Sequence, residues 1–320
     1  MSPRARTTLI VIALAVAAAA LVAGAAVLSA EEIDRPEAAA AKPEPRAGFP
    51  PLALFPGIRE DEEAADLRRA ARLYEAGKRQ QAAAIFARHD SLEAKVGSAF
   101  AGWPASEHRI EQLGALYPRS SLMQLHVGLS RFWAGTGDAR AAWREARDVE
   151  PDTPYAVRAG DLLYPEFAPG LPGFIVSFGY RIEGETPAEQ LRLLAADRTL
   201  RGRLLHGIAL QGLGRPVSAR RAFANALELA PHNVDALVAD AVGRYDKGNP
   251  SAAFSRLGPL SRRFPDAATV RFHLGLLLLW QQDVQEATRQ LELSRKAEPG
   301  SKIAGEATRF LNAIREAGTS

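Results

Sequence analysis

The sequence predicts an all-α chain, a stack of antiparallel helix pairs preceded by one membrane span. Three observations carry this. Alanine, leucine and arginine dominate, and aromatic residues make up only 7% of the chain, a composition that favours helix over sheet. An uncharged run opens the chain. A set of small residues, turn glycines and prolines then recurs at a fixed step of 34 residues in its second half. The same composition excludes several classes. The 40 basic and 37 acidic residues are interleaved, for a net charge of +3, so there is no basic stripe of the kind nucleic acid needs. With no cysteine, zinc ribbons, thiol chemistry and disulfide staples are absent.

The first element is the apolar run. Residues 1–6, with Arg4 and Arg6, form a short positive stub, and residues 7–30 carry neither charge nor proline. The core of that run, Leu9 to Leu28, spans roughly 30 Å as a helix, the thickness of a bilayer interior. A cleaved signal has an apolar core of only about 7–15 residues, so the run reads as a transmembrane anchor or uncleaved signal embedded in the lipid bilayer. The small residues Ala23-Gly24-Ala25 and Leu28-Ser29-Ala30 keep a cleaved, secreted form open. Positive residues before the span and Glu31, Glu32 and Asp34 after it place the N-terminus in the cytoplasm and the rest outside the cytoplasmic membrane. Residues 31–58 hold Pro36, Pro43, Pro45, Pro50, Pro51 and Pro56 and read as a semi-rigid tether. Within it the apolar patch Phe49 to Phe55 is expected to dock on the domain.

The repeats come next. In the clearest unit, Leu205, Gly207 and Leu210 lie on a first helix, Gly214-Arg215 make a turn, and Ala219, Phe223, Ala226 and Leu227 lie on a second helix that Pro231 closes. The frame recurs through Ala241, Gly248, Ala253 and Pro265, and again through Gly275, Ala287 and Pro299. Close packing of two helices needs small residues at the crossing. Gly207 with Ala219, Ala241 with Ala253, and Gly275 with Ala287 are expected to supply them, with Phe223, Leu257 and Leu291 filling the gap to the next pair. One pair cannot bury its apolar faces alone, so the pairs must stack.

Through "LLHGIALQGLGRPVSARRAFANALELAPHN" and its two successors the chain resembles the tetratricopeptide repeat family, in its membrane-anchored bacterial form. Arg203 and Leu210 stand where that family often has tryptophan and tyrosine. The resemblance implies a right-handed superhelical solenoid over residues 188–301. Residues 59–162 are expected to hold more degenerate repeats, with Gly77-Lys78 turning before Ala82 and Phe86, and with Gly128, Gly137-Asp138, Trp143 and Pro151 in a later one. Residues 302–320 read as a capping helix and tail. Residues 163–187 break the pattern with proline, glycine and aromatics. They read either as a connection packing its phenylalanines on neighbouring helices or as a lid over the groove.

Chemistry is sparse. The six histidines are scattered with no helical pair spaced for a metal, Glu60 to Glu63 suit a helix start, and neither a phosphate loop nor a nucleophile elbow is present. No catalytic, metal or cofactor residue is expected. The resemblance implies instead a groove lined by the first helices, here Leu204, Ile208, Tyr245, Phe272, Leu276, Leu279 and Trp280, together with Gln211, Val238 and Val242. Such a groove takes an apolar segment of another protein or peptide, unless the capping helix or the aromatic insert already fills it. The leading expectation is therefore a non-enzymatic binding scaffold or assembly factor at the cell envelope. The alternatives are an enzyme or enzyme subunit with a pocket under residues 163–187, and a structural spacer.

Overall fold

The computed structural model describes residues 45–317. The expected span at residues 7–30 lies outside them, and among the described residues no helix is long and apolar enough to cross a membrane. The described chain is all-helical, with fifteen helices and no strand. It divides into two compact units, residues 45–163 and 164–317.

In the first unit three helix pairs follow one another: α1 (Glu62–Glu75) with α2 (Arg79–Phe86), α3 (Leu92–Ala101) with α4 (Glu107–Leu116), and α5 (Ser121–Ala134) with α6 (Ala139–Val149). The single helix α7 (Pro154–Leu163) closes the row. The acidic run does start α1: the Asp61 carboxylate accepts the Ala64 amide at 2.8 Å, and Glu62 and Glu63 occupy the first turn, where they oppose the positive end of the helix dipole.

The second unit begins with a non-helical stretch, then α8 (Pro187–Ala196), capped by Thr186. Three pairs follow: α9 (Leu200–Gly212) with α10 (Pro216–Leu229), α11 (Val234–Val242) with α12 (Ser251–Arg263), and α13 (Ala268–Trp280) with α14 (Val284–Ala297). Helix α15 (Lys302–Ala317) ends the row, its apolar side carrying the buried Ile303, Ala307, Phe310 and Leu311.

The repeat positions are legible in the backbone. Gly77 and Gly214 sit between the helices of their pairs at φ +75 and +67, a left-handed conformation that glycine adopts without steric cost. Gln282 takes the same position in the last pair at φ 61. Pro231, Pro265 and Pro299 each stand two residues beyond a second helix. The residues before those prolines, Ala230, Phe264 and Glu298, share nearly one conformation, with φ of −141, −130 and −135, as the proline ring behind them requires. Glu150 before Pro151 and Tyr117 before Pro118 adopt it too, at φ −136 and −124. Pro118 closes α4 and so marks a pair, α3 with α4, that carries too few of the repeat's residues to stand out in the sequence.

The crossing contacts correct one expectation. Gly207 does not primarily face Ala219: a Cβ on it would fall inside the Phe223 ring of α10. Gly128 likewise lies against the Trp143 indole, and Gly275 against the Leu291 side chain and the Ala287 carbonyl. The missing side chain of the first helix thus receives a large side chain of its own partner helix. Phe223 also reaches Gly243 at the end of α11, so this one ring, fully buried, joins two successive pairs. Ala219, Ala241, Ala253 and Ala287 are buried at 0–1% exposure, consistent with tight packing around these contacts.

Candidate functional site

In the second unit the first helices α9, α11 and α13, with Tyr245 just beyond the end of α11, carry the expected lining, but it does not form an open pocket. Leu204, Tyr245, Phe272, Leu276, Leu279 and Trp280 are all buried, and Ile208 is half-buried. They belong to an apolar cluster that takes in Ala168, Phe174 and Val176 of the preceding non-helical stretch. That stretch lies along the groove as a strap. The Ala168 amide donates to the Trp280 carbonyl at 3.2 Å, and the Trp280 indole N–H donates to the Gly170 carbonyl, also at 3.2 Å. The Phe174 amide donates to the Gln211 side-chain oxygen at 2.8 Å, and the Ile175 amide to His273 Nε2 at 3.0 Å. The Ser177 hydroxyl donates to Asp235 at 2.6 Å, and the Lys302 ammonium stands over the Tyr180 ring at 4.3 Å. Residues 168–180 therefore run from the C-terminal end of α13 to the start of α11 and α15, antiparallel to the first helices.

The aromatic insert thus fills the groove with the chain's own backbone. Phe174 is its plug: it stacks on His273 at 5.0 Å and meets Phe223 edge-on at 5.5 Å. The other expected anchors go to separate tasks. Phe272 packs edge-on against Phe310 of α15 at 5.8 Å, and Tyr245 accepts a hydrogen bond from Gln281 at 2.9 Å. Trp280 lies under the strap.

Polar groups do converge beneath the insert, and each has at least one partner, although Asp235 Oδ1 is buried without one. His273 Nε2 accepts an amide hydrogen, so its proton must sit on Nδ1, which faces the Thr269 carbonyl at 2.7 Å. Burial holds this imidazole neutral, its pKa pulled down from 6.5 to about 4, because a charged ring there has no water around it. Asp235, also desolvated, is pushed above the ordinary aspartate value, with the Ser177 hydroxyl opposing that shift. A histidine with both nitrogens occupied by main-chain groups has no lone pair for a substrate. The arrangement holds a backbone in place. Among the described residues no group of three histidine, cysteine, aspartate or glutamate side chains is placed to hold a metal ion.

The first unit repeats this arrangement with residues 46–55 as its strap. The Arg46 amide donates to the Trp133 carbonyl at 2.8 Å, the Tyr74 hydroxyl donates to the Pro50 carbonyl at 2.6 Å, and the Ala53 amide donates to His126 Nε2 at 3.3 Å. His126 Nδ1 faces the Leu122 carbonyl at 2.7 Å, and burial brings this ring down to about 4 as well. Leu52 is the buried plug, at 7% exposure. The patch Phe49 to Phe55 inside the tether therefore docks, through Phe49 on Tyr74 and Phe55 on Tyr155.

The two straps keep one register. From Arg46 to Ala168, from Pro50 to Pro172 and from Ala53 to Ile175 the step is 122 residues; from His126 to His273 and from Trp133 to Trp280 it is 147. Gln211 Nε2 approaches the Pro172 carbonyl at 3.5 Å, as Tyr74 approaches Pro50. The signal was present in the sequence as His-x-Gly-x4-Trp in α5 and α13, and as glycine, apolar residue, proline in both straps. It is not in phase with the step of 34.

No family model matches the sequence, and no curated protein matches it significantly. Among solved structures the chain is similar to YrrB, described as a TPR protein with an unusual peptide-binding site, at 14% identity, covering 79% of this chain and 95% of that one, with a TM-score of 0.28. It is also similar to a tetratricopeptide repeat protein from Parabacteroides merdae, at 11% identity over 79% of this chain and 98% of that one, with a TM-score of 0.33. Yeast Tom70 matches at 14% identity over 84% of this chain but only 56% of its own length, with a TM-score of 0.30. With scores of this size, the tetratricopeptide-like reading of the fold rests on the chain's own repeats.

Proposed function

We propose that this chain is a non-enzymatic protein-binding scaffold or assembly factor, held at the outer face of the cytoplasmic membrane by residues 7–30. One observation carries the binding part: each groove is built to grip the main chain of a polypeptide segment, through His126 or His273, Trp133 or Trp280, and Tyr74 or Gln211. Hydrogen bonds to peptide N–H and C=O groups, flanked by an apolar plug, are the means by which a protein surface holds an extended partner. The anchor part rests on the length and charge asymmetry of the N-terminal run. In-cell crosslinking of the full chain, followed by identification of what it captures, tests the reading. A defined partner retained by the full chain and lost when residues 59–317 are replaced by an unrelated domain is the expected result. Capture indistinguishable from that of the anchor alone would contradict it.

A further inference from the structure

The two grooves hold their straps unequally. In the second unit the Trp280 indole N–H has the Gly170 carbonyl, and the strap amides of Phe174 and Ile175 are bound at 2.8 and 3.0 Å. In the first unit the equivalent indole N–H of Trp133 is buried with no acceptor, and so is the Ser130 hydroxyl one turn earlier on the same helix. The strap is bound closely at Arg46 and Pro50, at 2.8 and 2.6 Å, but past Pro50 its bonds to His126 and Tyr155 are each 3.3 Å long, and Phe55 is left 40% exposed. A buried donor without an acceptor costs free energy that a better-fitting ligand recovers. The first groove therefore leaves two buried donors without acceptors, whereas the unpaired buried atom of the second is an acceptor, Asp235 Oδ1.

We propose that the first groove is an exchangeable site, and that its ligand is a segment of a partner polypeptide with the pattern glycine, apolar, proline, any residue, large apolar, aliphatic. This rests on the scaffold reading and names the partner's chemistry. The pattern is the one both straps present, as Gly48-Phe49-Pro50-Pro51-Leu52-Ala53 and Gly170-Leu171-Pro172-Gly173-Phe174-Ile175. Each position has its reason. The glycine takes a left-handed conformation, φ +84 in one strap and +72 in the other. The proline carbonyl meets Tyr74, the large apolar residue fills the place of Leu52, and the next amide reaches His126. An incoming glycine carbonyl placed as Gly170 is placed would take the Trp133 N–H. Arg46 stands over the Phe132 ring at 3.9 Å, so a cation two residues before the glycine adds to the fit.

A fluorescein-labelled peptide of residues 168–178, titrated with the full chain in detergent, tests this by anisotropy, with hydrogen exchange of residues 46–56 followed in parallel. Gly48→Ala strains the strap while its added methyl meets nothing within 4 Å, so it loosens the occupant and spares the core. This variant is expected to bind the peptide about tenfold more tightly than the parent, or ~1.4 kcal/mol, while residues 46–56 exchange faster as peptide is added. Adding Trp133→Phe should remove most of that gain, and a peptide carrying Pro172→Asp and Ile175→Asp should not bind. A folded Gly48→Ala chain that ignores the peptide, or binds it without exposing residues 46–56, overturns the proposal. If Gly48→Ala lowers the melting temperature, Arg46→Ala replaces it, since that side chain lies outside the core and its loss weakens only the strap. In-cell crosslinking separates the two readings. A partner held through residues away from the strap and α5 overturns the exchangeable site alone, and no partner at all overturns both.

Discussion

Removing the indole N–H should cost more at Trp280 than at Trp143 or Trp133. Trp280 is 3% exposed and donates to the Gly170 carbonyl, whereas Trp143, 4% exposed, and Trp133 each bury an indole N–H without an acceptor. Tryptophan to phenylalanine deletes the N–H and part of the ring in every case. At Trp280 the change also breaks a hydrogen bond and leaves a carbonyl behind, costing about 1–3 kcal/mol; at Trp143 and Trp133 it removes an unsatisfied donor instead. Trp280→Phe should therefore destabilise by about 1–3 kcal/mol more than Trp143→Phe, where burial is matched, and more again than Trp133→Phe. Urea unfolding followed by far-ultraviolet circular dichroism measures the shift, with the midpoint multiplied by the slope giving the difference. Equal costs for Trp280→Phe and Trp143→Phe, or the reverse order, would refute the claim that the strap is bound at this point.

Other consequences follow from the same contacts. Gly207→Ala pushes a methyl into the Phe223 ring and should cost about 1–3 kcal/mol by overpacking. Gly305→Ala in α15, where nothing lies within 4 Å, should stabilise by about 0.5–1 kcal/mol through helix propensity; thermal melts of the two variants should move in opposite directions. For pH, both buried histidines have folded values near 4 against an ordinary 6.5. The unfolded chain thus takes up their protons first, so stability is full above about 6.5, falls as the pH drops toward about 4, and levels off below it. Each ring contributes on the order of 3 kcal/mol across that window, and protonation at Nε2 also removes the acceptor for Ala53 or Ile175. Melts at pH about 7 and about 4.5 should differ, and His126→Gln with His273→Gln should flatten the dependence; a parent chain insensitive to this change would contradict the neutral assignment. A reporter active only outside the cytoplasm, fused after Ser320, is expected to work, and activity confined to the cytoplasm would contradict the proposed topology.

Much of the fold was legible because the repeat leaves marks that depend on local chemistry. Pro231, Pro265 and Pro299 end helices by steric necessity, and Gly207 and Gly275 are small because a neighbouring side chain occupies the space. The pair α3 with α4 was not legible. Its turn carries no left-handed glycine in the repeat position, and its crossing glycines, Gly97 and Gly114, serve adjoining pairs, against Phe86 and Val127. At the groove, the sequence shows which residues face inward but not what covers them, because an apolar face is equally compatible with an absent partner and a strap from the same chain. Trp280 looks like an exposed anchor for that reason. The strap's identity depends on contacts such as Ile175 with His273, 98 residues apart, which no local pattern encodes. The paired His-x-Gly-x4-Trp motifs and the glycine, apolar, proline pattern of the straps were the available clues, and their steps of 147 and 122 are unrelated to the helix-pair repeat.

Both grooves are closed only if the two straps lie in them. Hydrogen–deuterium exchange of the full chain in detergent, read by mass spectrometry over residues 46–56 and 168–178, tests this most directly. The bonded amides of Ala53, Phe174 and Ile175 should exchange at least on the order of a hundredfold more slowly than in free peptides of the same sequence, with the second strap better protected than the first. Exchange of both straps at the free-peptide rate, while the helices on either side stay protected, would show open grooves and contradict the account.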